Sequence, residues 1–331
     1  MGNFVVADLL PKANRKRSSL RCGPMFERAK PLWAAAAVVL AMPLLSLPAA
    51  AAASELRVIS WNICGEAGGQ RGDAGYCPYR NEPDKKVEQI AGLVSRHQAN
   101  VVLLQEVCGI ASDSHLELLK AALGPDWSFA RADGARPDGR VDCRGSLSGN
   151  LGLGIAVKSR ITGTTVTQTL PSDTTGKSKQ TLPTLCVRTA NWAGTRICTT
   201  HVLADPADPR RPQQIRNIKT AVSAGGLDVV LGGDFNLFPG STDLRPLSGA
   251  YEECDSSGAK PNEATHHAWS NGKHVYRKRD HIFATKAGTG RRFTACDADQ
   301  SLMDRTANEP DSGPPNGYSD HAPLIGYLPG A

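Results

Sequence analysis

Four apolar, β-branched runs in this chain each stop on a single polar side chain, and that repetition restricts the fold more than anything else in the sequence. Asn62 follows Val58-Ile59-Ser60-Trp61, Glu106 follows Val102-Leu103-Leu104-Gln105, His201 follows Ile197-Cys198-Thr199-Thr200, and Asp234 follows Val229-Val230-Leu231-Gly232-Gly233. Runs of this composition and length read as buried β-strands. Asp280 and the pair Asp320-His321 stand instead at the beginnings of runs, before Ile282-Phe283 and before Pro323-Leu324-Ile325. If all six places meet at one rim, the last two strands run antiparallel to the first four, which predicts mixed sheets and not a doubly wound parallel one.

Further strand patterns lie around these, so that strands are expected at 56–61, 101–105, 152–157, 182–189, 195–200, 228–232, 280–284 and 322–328. Helices are expected at 83–97, where Val87, Ile90, Ala91 and Val94 recur at helical spacing, and at 114–123 and 212–224. The Pro/Ser/Thr/Gly stretches 171–179 and 307–317 read as surface loops. Neither has the composition of a linker, and no repeat is present, so residues 54–331 are expected to form one domain.

The first 53 residues stand apart. Lys12, Arg15, Lys16, Arg17, Arg21, Arg28 and Lys30 precede an apolar run over 32–53 that ends in small residues. Basic, then apolar, then small is the order of a secretory signal that is removed on export. Pro43 and Pro48 interrupt the run, which weighs against a transmembrane anchor. Met25 offers an internal start, since 25–53 alone makes a compact signal. The expectation is a secreted, extracellular protein with no stable membrane association after cleavage. Cleavage takes away seven of 38 basic and two of 32 acidic side chains, leaving 31 against 30. A globally cationic nucleic-acid binder is thereby excluded, and any attraction to phosphate is local.

Of nine cysteines, Cys22 leaves with the signal. The other eight, Cys64, Cys77, Cys108, Cys143, Cys186, Cys198, Cys254 and Cys296, contain no C-x-x-C pair. That pattern argues for disulfides in an oxidising compartment and against a zinc site. Eight cysteines allow about 105 connectivities. One pair has a local argument: 181–190 and 194–202 read as a hairpin about Asn191-Trp192-Ala193, in whose register Cys186 faces Cys198. Order along the chain suggests Cys64 with Cys77, Cys108 with Cys143, and Cys254 with Cys296.

Six strings carry the chemistry: Ser60-Trp61-Asn62, Leu104-Gln105-Glu106-Val107, Thr200-His201, Gly233-Asp234-Phe235-Asn236, Arg279-Asp280-His281-Ile282-Phe283 and Ser319-Asp320-His321-Ala322-Pro323. Singly each has an ordinary explanation; Asp234-Phe235-Asn236, for example, reads as an Asx turn closing a strand. Together, in this order and across nearly the whole mature chain, they resemble the endonuclease/exonuclease/phosphatase (deoxyribonuclease I-like) superfamily. The resemblance implies an α+β fold, a four-layer α/β/β/α sandwich of two packed mixed β-sheets with the active site at one end. It implies Glu106 as principal metal ligand with Asn62 and Asp320 in support, and Asp234 with Asn236 orienting the attacking water and the phosphate. Asp280 would pair with His321, and His201 would be the second imidazole. Oxygen donors of this kind suit Mg2+, with Mn2+ or Ca2+ as alternatives. Arg279, and Asn150 ahead of 152–157, are candidate substrate contacts; His266, His267, Trp269 and Tyr276 could stack on bases or enter a lipid interface.

The reading that follows is a monomeric, secreted, Mg2+-dependent hydrolase of phosphate esters, a phosphodiesterase with nucleic acid as its substrate and DNA in preference to RNA. Deoxyribonuclease I-like sequences place an arginine for the minor groove two residues after the metal-binding glutamate; here Cys108 stands there. The alternative is a sphingomyelinase-like lipid phosphodiesterase or a phosphomonoesterase on the same fold. An exposed apolar hairpin would mark the lipid enzyme, and no aromatic-rich hairpin is evident. A non-catalytic binding module would have no need of Glu106, Asp234, Asp280, Asp320 and both histidines.

Overall fold

In chain order the computed structural model, which describes residues 55–66, 76–257, 260–290, 292–306 and 313–329, begins with β1 (Leu56–Asn62), α1 (Pro83–His97), β2 (Val101–Gly109) and α2 (His115–Leu123). There follow β3 (Ser128–Asp133), β4 (Asn150–Val157), β5 (Ile161–Gln168), β6 (Pro183–Thr189), β7 (Thr195–His201), α3 (Arg211–Ser223) and β8 (Asp228–Asp234). The chain closes with the one-turn α4 (Arg245–Ser248), β9 (Tyr251–Glu253), β10 (His266–Ser270), β11 (Lys273–Arg277), β12 (Asp280–Thr285), β13 (Ala295–Ala298) and β14 (Leu324–Leu328). The signal-like segment and residues 307–312 of the second expected loop lie outside the described residues, all of which belong to the compact unit Ala51–Ala331.

Two six-stranded sheets form, in the orders β13-β14-β1-β2-β4-β3 and β5-β6-β7-β8-β12-β9, with β10-β11 as a separate hairpin. β1 runs parallel to β2 and β7 to β8, whereas β14 is antiparallel to β1 and β12 to β8. The two late strands therefore reverse as the placement of Asp280 and Asp320-His321 demands. Asp234 is flanked in register by His201 on β7 and by Asp280 on β12.

Successive residues of one strand enter different cores, and this sets the layering. Val58, Leu103, Leu185, Ile197, Val230 and Ile282 meet between the sheets. Ile59, Trp61 and Leu104 point outward beneath Ile90 and Leu93 of α1 and Leu116 and Leu119 of α2. On the opposite side Val229, Leu231 and Phe283 pack against Ile215, Ile218 and Val222 of α3. Both faces of each central strand are buried, which is why the runs are continuously apolar and not alternating. The result is two packed mixed β-sheets between helices. A Cβ at Gly232 would lie 2.7 Å from Leu103 Cδ1 and 2.9 Å from Ser60 Cβ, so glycine there lets the sheets close together just before Asp234. Across the same gap Gln105 Nε2 donates to Thr199 Oγ1 at 2.8 Å.

The expected helices form with ends within a residue or so of those read from the sequence, and the eight expected strands are present. β3, β5, β9, β10, β11 and β13 are additional. The absence of an aromatic-rich hairpin is corrected: β10-β11 pairs His267 with Tyr276 and Trp269 with His274 on one face. The rings are spaced two apart along each short strand, with Ala268 and Val275 between them, so neither strand forms a continuous apolar run. Its turn, Asn271-Gly272 between Ser270 and Lys273, is polar and exposed. Bridges join Cys64 to Cys77, Cys108 to Cys143, Cys186 to Cys198 and Cys254 to Cys296, and Cys186 does face Cys198 across β6 and β7. No helix among the described residues is long and apolar enough to cross a membrane.

Candidate active site

Glu106 is aimed by a bulge. The β2–β4 register shifts between Leu104 and Val107, and Glu106 occupies the left-handed backbone region at φ 51°. Bulges of this kind re-aim a side chain at the end of a strand, and the strain of a non-glycine residue there is characteristic of functional positions. The carboxylate accepts from Asn62 Nδ2 at 2.9 Å, across the ends of two parallel strands.

Asp234 is the hub. It is buried, and its Oδ1 accepts from the backbone N–H of Asn236 at 2.8 Å, so the Asx turn is real. Its Oδ2 accepts from Asn236 Nδ2 and Asn62 Nδ2, each at 3.2 Å. Two imidazoles face that same oxygen, His201 Nε2 from 3.5 Å and His321 Nε2 from 3.6 Å. Burial would raise the Asp234 pKa, but His321, His201 and Arg279 hold it below the usual carboxylate range.

His321 is held from both sides. Its Nδ1–H donates to Asp280 Oδ2 at 2.7 Å, which fixes the tautomer and turns Nε2 toward Asp234. Burial alone would lower the His321 pKa; Asp280, Asp234 and Asp320 outweigh it and push it up to about 10. Burial, reinforced by Glu106, pushes Asp320 up to about 6 despite His321 and Lys86. The loop carrying these residues is tied to β1: Ser319 Oγ donates to the Asn62 carbonyl at 2.7 Å, and Trp61 Nε1 donates to the His321 carbonyl at 2.9 Å.

The donor set fits a hard divalent cation. Glu106 and Asp320 offer only oxygen, and Glu106 disfavours ionisation of Asp320, a repulsion that a cation between them would relieve. The group of Cys64, Cys77 and Glu106 offers no thiolate, because its cysteines are bridged to each other. Asn62 turns its amide nitrogen to Glu106 and Asp234, while its Oδ1 accepts from Cys64 N–H at 2.9 Å. In that orientation it fixes Glu106, and it would present oxygen to a metal only after the amide turns over.

Among the other candidates, Arg279 donates to Asn236 Oδ1 at 3.0 Å and so joins the cluster. Asn150 pairs with Gly109 beyond the bulge, and its side chain donates to Asp133, not to a cluster member. His266 packs edge-on to His321 with ring centroids 4.6 Å apart and reaches Asp320 Oδ2 at 3.7 Å, whereas His267, Trp269, His274 and Tyr276 form the hairpin face. Cys108 is buried and bridged, so no cation projects from that position.

Two residues escaped the sequence reading. Thr265 Oγ1 accepts from the backbone N–H of both Arg279 and Asp280 at 3.0 Å, fixing the start of β12. Lys86 of α1 is fully buried, and its Nζ donates to the carbonyls of Ile63 at 2.6 Å, Cys64 at 3.1 Å and Tyr318 at 2.9 Å. It thus ties the segment after Asn62 to the segment before Asp320. The available signal was its place four residues before Ile90, on the apolar stripe.

The sequence pattern of the Endonuclease/Exonuclease/phosphatase family matches residues 59–321, which takes in every member of this cluster. The chain belongs to that family. Enzymes of the family act on phosphate esters and generally depend on a divalent metal. Among solved structures, humanized D. rerio TDP2 is 18% identical with a TM-score of 0.54, over 83% of this chain and 98% of that one. A family protein from Leptotrichia buccalis is 14% identical with a TM-score of 0.57, over 82% and 99%. The human Nocturnin catalytic domain with bound sulfate is 16% identical with a TM-score of 0.55, over 84% and 94%. At these identities the likeness is one of fold. No curated protein sequence matches the chain.

Proposed function

We propose that this chain is a secreted, Mg2+-dependent phosphodiesterase that hydrolyses nucleic-acid phosphodiester bonds, with water displacing an alkoxide in line. The observation that carries the reading is the convergence of two imidazoles on Asp234 Oδ2 beside the Glu106–Asp320 carboxylate pair. A cation held by Glu106 and Asp320, with Asn62 in support, would supply positive charge to the phosphoryl oxygens. Asp234 and Asn236 orient the water and the phosphate. Asp280 holds His321 in one tautomer, so that its Nε2 faces the reacting group; His201, from the neighbouring strand, serves the other oxygen. Arg279 contacts the substrate beside Asn236, and Asn150 serves further along the rim. Support for a nucleic-acid substrate comes from the related D. rerio TDP2, solved with a single-strand DNA product. Export, with loss of residues 1–53, agrees with four disulfides in the folded chain.

A lipid phosphodiesterase gains one favourable observation, the ring-bearing β10-β11 hairpin. Its polar turn argues against insertion into a bilayer, which needs an apolar leading edge. The test is to incubate the full chain, made in an oxidising compartment, with plasmid DNA, single-stranded DNA, RNA and sphingomyelin vesicles, with Mg2+ or with EDTA. Cleavage of nucleic acid that EDTA, Asp234→Ala and His321→Ala each abolish is the expected result. Activity surviving both substitutions would mean that another site is responsible.

A further inference from the structure

The segment after Asp234 alternates inward and outward. Phe235 and Leu237 are buried, which leaves Phe238 64% exposed, more than any other large apolar side chain among the described residues. It stands at a groove of about 380 Å³ that opens beside Asn236 and is lined also by Arg211, Arg277 and Arg279. The charges on its wall are not equivalent. Arg211 is matched by Asp243 at 3.4 Å, and Lys278 by Glu253 and Asp255, each at 3.0 Å. Arg279 donates to the neutral Asn236 amide, and Arg277 is exposed. The mouth of the groove is therefore cationic, with a bare aromatic ring next to it, immediately beside the cluster.

We propose that this groove binds the nucleotide adjoining the scissile phosphate with its base unpaired: Arg277 and Arg279 take the neighbouring phosphate and Phe238 stacks on the base. The inference rests on the nucleic-acid reading above and narrows it to single strands. The guanidinium groups offer nothing to the quaternary ammonium of a choline lipid, which has no flat face for Phe238, and a simple phosphomonoester has no planar group for the ring. A nucleotide has both an anion and a flat face. A base in a duplex is stacked on its neighbours, so a base lying on Phe238 belongs to a single strand or a frayed end.

The experiment compares the full chain with Phe238→Ala, Arg277→Gln and Phe238→Trp. Substrates are a short single-stranded oligonucleotide, the same strand annealed to its complement, and bis(p-nitrophenyl) phosphate, a diester with no neighbouring phosphate for Arg277 and Arg279. Both substituted side chains are exposed, so the variants fold, and thermal melting checks this. The wild type cleaves the single strand faster than the duplex. Phe238→Ala and Arg277→Gln each raise KM for the single strand by about tenfold and lower its turnover relative to the small diester, while Phe238→Trp restores it. The same ordering appears in the anisotropy of a labelled single strand bound in EDTA, where no turnover is needed. Equal rates on duplex and single strand, or an unchanged KM and anisotropy in Phe238→Ala, overturn the inference. Hydrolysis of the small diester with neither cleavage nor binding of any nucleic acid overturns the underlying reading instead.

Discussion

Asp280 of β12 stands directly opposite Asp234 of β8, and the two carboxylates address opposite nitrogens of the same His321 ring, at 2.7 Å and 3.6 Å. One antiparallel register thus builds both the clamp on the imidazole and the acceptor it faces. Asp280→Asn keeps the shape but removes the charge that fixes the Nδ1–H tautomer. It is expected to lower kcat by about 10²–10⁴ with the circular dichroism spectrum retained. A fall of less than about tenfold would mean that His321 needs no partner.

The candidate site was legible in the sequence because its members sit where apolar strands start or stop, and because both faces of those strands are buried. Val58-Ile59-Ser60-Trp61-Asn62 is conspicuous for that reason, as is the apolar stripe of α1. β5 was not, because it is a largely exposed, Thr-rich strand at a sheet edge, and β9 and β13 are too short to carry a pattern. The β10-β11 hairpin is made of two five-residue strands whose rings are flanked by serine, lysine and arginine, so neither carries an apolar run. Thr265 left no sequence signal, and Lys86 only its place on the apolar stripe of α1, because each acts by bonding backbone groups that only the folded topology brings near.

A cation held by Glu106 and Asp320, as proposed, would relieve the repulsion that Glu106 exerts on Asp320 and so stabilise the fold as well as serve the reaction. Mg2+ at about a hundredfold excess over its Kd is expected to stabilise the protein by about 2.7 kcal/mol, read as a rise in Tm. Glu106→Gln should abolish that rise and the EDTA-sensitive activity together. An undiminished rise in Glu106→Gln would place the cation elsewhere.

Lys86 gives a pH dependence with a definite sign. Burial pulls its pKa down to about 7, against the opposing pull of Asp320, Glu106 and Asp304. Between that value and the ordinary 10.5 the unfolded chain holds a proton that the folded chain has released, so this group's contribution to stability rises with pH. The contribution is complete above the unfolded pKa and is lost as pH falls through about 7. His321, with its pKa raised, contributes the opposite slope in both proteins, so Lys86 is read from the difference between them. The stability of wild type relative to Lys86→Met should therefore grow as pH rises from about 7 to about 10, measured by urea midpoints. A flat or falling difference would mean that Lys86 stays charged throughout.

The disulfides should separate stability from catalysis. Cys186 and Cys198 are 12 residues apart on paired strands and lie under α3, away from the cluster. Cross-linking a loop of that size is worth about 3 kcal/mol in the chain-entropy model, so Cys186→Ala/Cys198→Ala should lose stability on that scale and keep kcat. Cys108 lies two residues past Glu106, in the stretch of β2 just beyond the bulge, and its bridge to Cys143 fastens that stretch to a loop with no strand of its own. Cys108→Ala/Cys143→Ala should therefore lower both the urea midpoint and kcat, because the bridge adds to the β4 ladder and to the Asn62 bond in holding Glu106 in its left-handed conformation. Retention of full kcat in that pair, with the midpoint lowered, would show that the β2–β4 ladder alone aims the carboxylate.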